Sequence, residues 1–140
     1  MKRVMILMAL AALAGTFCGT GANAADEKPA AKKERLFEMR TYHCPPGRLD
    51  ALNARFRNHT NRLFQKHGIE LVGYWMPIDK PDILVYVLAY PSRDAAVKSW
   101  AAFRADADWN AARTASEADG PIVQKVDSVY MSPTDYSPIK

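Results

Sequence analysis

The sequence predicts one small α+β domain, a four-stranded antiparallel sheet with helices on one face in the order β-α-β-β-α-β. Three observations predict it. Four runs of strand length are rich in aromatic and β-branched residues and are bounded by Pro, Gly and Asp. Stretches with apolar residues at three- and four-residue steps lie between the first and second runs and between the third and fourth. A turn of only a few residues joins the second run to the third, as in a hairpin.

The first run, residues 36–43 (LFEMRTYH), is stopped by Cys44-Pro45-Pro46-Gly47. Residues 48–66 read as a helix whose stripe is Leu49, Leu52, Phe56, His59 and Leu63, closed by Gly68 as a left-handed cap. Residues 69–76 form the second run, limited by Pro77 and the Asp79-Lys80-Pro81-Asp82 turn. Residues 83–90 form the third. Pro91-Ser92 opens a second helix, with Ser92 as N-cap and Ala96, Trp100 and Phe103 as its stripe. Asp108 starts a short helix around Trp109 that ends at Gly120-Pro121, and residues 122–131 form the last strand. This order is the ferredoxin-like split βαβ arrangement.

The ends carry other signals. Met1-Lys2-Arg3 is a positive n-region, Val4 to Ala14 is apolar, and Ala22-Asn23-Ala24 is an A-x-A site, so residues 1–24 read as a secretory signal peptide. The apolar run is about half of the roughly 20 residues that span a bilayer, so no stable membrane anchor is expected. Phe17 stands before Cys18 where a lipobox needs a small residue. The expected location is the periplasm or the exterior. Residues 25–34 (ADEKPAAKKE) have no apolar face and read as a flexible tether, the domain spans 35–131, and residues 132–140 read as an irregular tail with two prolines. Cleavage would remove two of 19 basic residues and leave 17 against 15 acidic ones, a net charge of +2. With no Lys/Arg stripe interleaved with aromatics, no nucleic-acid partner is expected. Cys44 would be the one remaining thiol, on a loop and at the surface, so no internal disulfide is available.

Both faces of the sheet read as apolar. On the third strand Ile83, Val85, Val87 and Ala89 oppose Leu84, Tyr86, Leu88 and Tyr90. On the second, Leu71 and Trp75 oppose Val72, Tyr74 and Met76. An antiparallel sheet with one wet face should alternate apolar with polar. The helices suffice for one face, so a second copy of the sheet is the economical cover for the other, and a homodimer is expected.

The stretch Phe37-Glu38-Met39-Arg40-Thr41-Tyr42 followed by Pro46-Gly47-Arg48-Leu49 resembles the opening of NIPSNAP domains. So does Phe56-Arg57-Asn58-His59-Thr60 followed by Leu63-Phe64-Gln65-Lys66-His67-Gly68, and Leu71-Val72-Gly73-Tyr74-Trp75 and Asp106-Ala107-Asp108-Trp109 fit as well. The resemblance covers residues 36–131. It implies a dimeric α/β-barrel fold, shared with cofactor-independent monooxygenases, haem-degrading enzymes and small isomerases. It implies no particular reaction.

His59 stands in the helix stripe where Leu would be expected, so its imidazole should face the sheet. It reads as a general base, as an axial haem ligand, or as a core histidine bonded to a tyrosine or a carbonyl. Glu38, Arg40 and Tyr42 share one face of the first strand and are expected under the partner sheet, as a register-fixing Glu–Arg network or with Arg40 as an anion receptor. Tyr74, Trp75, Tyr86, Trp100 and Trp109 line an apolar ligand cavity or simply fill the core. His59 and His67 are two helical turns apart, no second ligand pair with zinc spacing accompanies His43-Cys44, and no cofactor is expected. There is no phosphate-binding Gly-rich loop, no G-x-S-x-G and no H-E-x-x-H, which argues against nucleotide chemistry, serine hydrolysis and zinc proteolysis. Three functions remain: a homodimer that binds a small apolar or aromatic molecule, a cofactor-independent monooxygenase or isomerase using His59, and a haem-binding or haem-degrading protein.

Overall fold

The computed structural model describes residues 35–140; the expected signal peptide, Cys18 and the expected tether lie outside the described residues. Four strands, β1 (Leu36–His43), β2 (Glu70–Trp75), β3 (Ile83–Tyr90) and β4 (Lys125–Met131), form one sheet in the order β2-β3-β1-β4. All three pairings are antiparallel. With the helices in their places between strands, this is the expected ferredoxin-like order.

The helices pack on one side of the sheet. Helix α1 (Leu49–Arg55) runs into a π-helical turn (Phe56–Thr60) and then into α2 (Asn61–Lys66), while α3 (Arg93–Ala105) and α4 (Ala107–Ser116) follow β3. Gly68 closes α2 at φ 73°, the left-handed conformation that a residue without Cβ adopts freely. The Ser92 hydroxyl accepts from the Ala95 amide at 3.1 Å and caps α3. Asp106, rather than Asp108, caps α4. Its Oδ1 accepts from the Asp108 amide at 2.8 Å. Its Oδ2 lies 2.7 Å from Lys66 Nζ and 2.6 Å from His67 Nε2, which ties the end of α2 to the α3–α4 corner.

The core lies between helices and sheet. Leu84, Tyr86, Leu88 and Tyr90 of β3 meet Leu52, Phe56, Leu63 and Phe64 from the first helical stretch and Ala96, Trp100 and Phe103 from α3, all buried. Ile122, expected in the last strand, precedes it and is fully buried as a plug beneath the helices. Cys44 is buried as well, not at the surface: it is 5% exposed. Its amide donates to the Asp82 carbonyl at 2.9 Å, which draws the β1–α1 turn inward. Burial pushes its thiol pKa up, so it is a poor nucleophile.

On β2 the residue sides differ from simple alternation. A bulge between Leu71 and Gly73 places Leu71 opposite Leu88 and Tyr74 opposite Tyr86, so both point to the helices, while Gly73 and Trp75 lie opposite Val87 and Val85 on the other face. A bulge inserts one residue and reverses the phase beyond it. Trp75 folds back over Gly73: a Cβ added there would lie 2.6 Å from the indole, so glycine is what lets the ring lie flat.

The second face of the sheet carries Met39, Val85, Val87 and Val129, with Val129 and Trp75 51% and 54% exposed. The tail after β4 is irregular, as expected, but it folds against one end of this face. Together with Phe37, Val72, Trp75 and Val87, tail residues Pro133, Ser137 and Ile139 enclose about 350 Å³.

Candidate functional site

The cleft with the richest chemistry opens on the helix side, between β1 and β4 below and α3 and α4 above. It holds about 330 Å³ and its walls include Tyr42, Trp100, Phe103 and Trp109. Alternation along β1 turns Glu38, Arg40 and Tyr42 together toward the helices, because they lie opposite Leu88, Tyr86 and Leu84. This corrects the expectation that these three lie under a partner sheet. The reason is chemical as well as geometric: α3 brings a donor, the Trp100 indole, to the Glu38 carboxylate.

Glu38 is 1% exposed, and four donors converge on it. Its Oε2 accepts from Tyr90 Oη and Trp100 Nε1, both at 2.8 Å. Its Oε1 accepts from Arg40 Nη1 and Ser128 Oγ, both at 2.6 Å. Burial pushes this carboxyl up, but the bonds from Ser128, Trp100, Tyr90 and Arg40 outweigh it and hold the pKa below the usual value. Arg40 lies between aromatic rings, its guanidinium carbon 4.4 Å from the Trp100 centroid and 5.6 Å from that of Tyr42. Behind it Tyr86 is fully buried with its hydroxyl unpartnered among the described residues. Tyr86 stacks on Tyr74 at 5.5 Å, and Tyr74 donates to Asn61 Oδ1 at 2.9 Å.

The expected ligand-binding residues therefore separate. Arg40, Tyr42 and Trp100 line the cleft. Tyr74 and Tyr86 sit behind them in the aromatic core, and Trp75 lies on the opposite face of the sheet. Arg55, Arg104, Trp109 and Arg113 also line the cleft. Of these only Trp109 stands out in the sequence. Arg55 carries a signal at i+3 from Leu52, on the apolar stripe, and it is 5% exposed. Its Nη1 donates to Glu117 Oε1 at 3.0 Å and to Ser116 Oγ at 3.2 Å. Arg104 and Arg113 are exposed helix residues with no local pattern to mark them.

His59 does not face the sheet. It is exposed, and Thr60 takes the inward place at 1% exposure. The cause is the π-helical turn, in which the Asn61 amide bonds the Phe56 carbonyl five residues back. That wider turn advances less per residue than an α-helix, so the stripe falls one position later. The Thr60 hydroxyl donates to the Arg55 carbonyl at 3.3 Å. His59 instead borders a shallow groove with Ala51, Ala54, Ala112 and Ala115. Replacing His59 by Leu should change stability by no more than about 0.5 kcal/mol, as for other surface positions. Thermal melts of the pair check this, and a larger loss would mean that the imidazole has a structural partner. Among the described residues, His43 lies 2.8 Å from Asp127 and His67 2.6 Å from Asp106, and no histidine lines the cleft.

This sheet order, with helices on one face, is that of the ferredoxin-like folds. The NIPSNAP family model matches residues 37–138, and the chain belongs to the NIPSNAP family. Solved structures share its fold. A NIPSNAP family protein of unknown function from Agrobacterium tumefaciens is 24% identical, with a TM-score of 0.68 over 78% of this chain and 96% of its own. A NIPSNAP-like domain protein from Burkholderia xenovorans is 17% identical, with a TM-score of 0.67 over 76% of this chain and 90% of its own. SnoaB, a cofactor-independent oxygenase from Streptomyces nogalater, is 13% identical, with a TM-score of 0.54 over 75% of this chain and 98% of its own. A comparison with curated proteins finds no match.

Proposed function

We propose that this NIPSNAP domain is exported and works as a homodimer that binds a small apolar or aromatic molecule in the cleft under α3 and α4. The observation that carries the binding reading is the cleft itself, about 330 Å³ walled by four aromatic rings. That is the lower end of the range for small-molecule sites, and the rings share the walls with charged side chains, Arg40, Arg55, Arg104 and Arg113 among them. Binding is favoured over catalysis because His59, the candidate base, lies outside the cleft. The haem reading loses its support for the same reason, since no histidine among the described residues is placed to ligate iron there.

Native mass spectrometry of protein purified from its own host tests this reading. The expected spectrum is two chains plus a retained small organic molecule that denaturation releases. Bare chains alone, with no change in Trp fluorescence on titration with hydrophobic aromatics, would defeat the ligand reading. Export is tested on the same material. Sequencing from the N-terminus should begin at Ala25 or within a few residues of it, and an intact Met1 would defeat it.

A further inference from the structure

The charges around the cleft are not balanced. Arg40, Arg55, Arg104 and Arg113 line it, with Glu117 as the carboxylate among its walls. Glu117 is already engaged by Arg55 at 3.0 Å and by Arg113 at 3.4 Å. Glu38, beneath the cleft, is engaged by Arg40. Lys125 also borders the cleft but lies 2.8 Å from Asp127. Four guanidiniums thus meet two carboxylates.

The excess is concentrated at Trp100. The Arg40 guanidinium lies 4.4 Å from its ring centroid and that of Arg104 6.0 Å. Among the described residues Arg104 has no carboxylate within 4.0 Å. Arg40 itself is 17% exposed and spends one bond, through Nη1, on Glu38. Its Nε is buried and has no partner among the described residues. Each guanidinium offers five N–H donors in a planar fork that matches a carboxylate.

We propose that this cleft is a receptor for an aromatic carboxylate, its ring set against Trp109 and its carboxylate held by Arg40 and Arg104, which Trp100 backs. The inference rests on the ligand-binding reading above and adds the ligand's charge and class. The half-buried Trp109 ring selects the body of the molecule by stacking and by exclusion of water, while Trp100, 7% exposed with Arg40 over its ring, backs the arginine. Arg104, which has no carboxylate partner, and Arg40, which keeps N–H donors beyond its bond to Glu38, select the anionic end, because a charge-assisted bond to a planar fork is stronger and more directional than a neutral one. A neutral analogue of the same shape would leave Arg104 without a counter-charge.

The test uses the mature full chain and two probes of equal shape, 2-naphthoate and 2-naphthamide, followed by tryptophan fluorescence and calorimetry. The naphthoate should bind at least about tenfold more tightly than the amide. Raising the salt concentration should weaken the naphthoate and leave the amide unchanged. Arg104→Gln, at an exposed helix position, should remove most of that preference without moving the melting temperature. Arg40→Lys should keep part of it and Arg40→Gln should lose it. Equal binding of the two probes overturns the anion inference and leaves the aromatic-binding reading standing. Absence of binding by both overturns both. Full naphthoate preference in folded Arg104→Gln and Arg40→Gln would overturn the assignment to these arginines.

Discussion

Glu38→Ala should lower the stability of this protein by about 3–5 kcal/mol, the range for removing one partner of a buried ion pair. The carboxylate accepts from Arg40, Ser128, Trp100 and Tyr90, so it joins β1 to β4, to α3 and to β3 at one point. Alanine would leave the Arg40 guanidinium without its counter-charge and two buried donors, the Tyr90 hydroxyl and the Trp100 indole, without acceptors. For a domain of this size the melting temperature should fall by more than about 10 °C. Glu38→Gln should cost less, because the amide oxygen still accepts while the charge is lost. Calorimetry on the two variants decides it, and an Ala variant that melts with the wild type would show that the network is not structural.

The same carboxylate sets a pH dependence. Its pKa is held below the ordinary value of 4.5 in the folded protein. A depressed folded pKa adds stability that is fully present above the unfolded value and is lost as pH falls through the folded one. The contribution should therefore be intact above about pH 4.5 and decline below it, and the Gln variant should lack that acid-side loss.

The strands were legible because each is a short aromatic or β-branched run closed by Pro, Gly or Asp, and those signals are local. The bounds of β1 and β3 agree with the sequence to the residue. Two irregularities were not legible. The π-helical turn at Phe56–Thr60 moves the stripe from His59 to Thr60, although both positions satisfy a three- or four-residue step after Phe56. The bulge on β2 sends Trp75 to the open face and Tyr74 to the core, which no count of alternating residues reveals. Each is one extra residue in a regular element, and tertiary packing decides where it goes. At the cleft, Arg40, Tyr42 and Trp100 were legible as chemistry but not as to the face on which they meet, since an apolar pattern on both sides of a sheet leaves the helix side unassigned. Arg104 and Arg113 look like ordinary solvated helix residues until α3 and α4 are placed over β1 and β4.

Val129→Lys should convert a dimer into a monomer. The argument starts from the open face of the sheet, where Met39, Val85, Val87, Val129 and Trp75 lie on the side away from the helices. The tail covers the end near Phe37 and borders Trp75, yet Trp75 and Val129 both stay half exposed. Half-exposed apolar side chains grouped on one sheet face mark an interaction site, and a two-fold axis lets one sheet cover another with the same residues on both sides. In an isolated chain a lysine at 129 would reach water from edge strand β4, so the fold itself should survive. In a sheet-to-sheet pair the two-fold axis would bring two such ammoniums into the interface, where each loses several kcal/mol of hydration. Association should weaken by at least about 100-fold, since each 1.4 kcal/mol is a factor of ten. Light scattering at micromolar concentration should give about twice the chain mass for the wild type and the single-chain mass for the variant. Trp75→Ala should act in the same direction but more weakly, because it removes contact area without introducing charge. A wild-type protein that stays monomeric at every concentration would show that the open face has another cover, and a Val129→Lys protein that remains a dimer would place the pairing surface elsewhere on the chain.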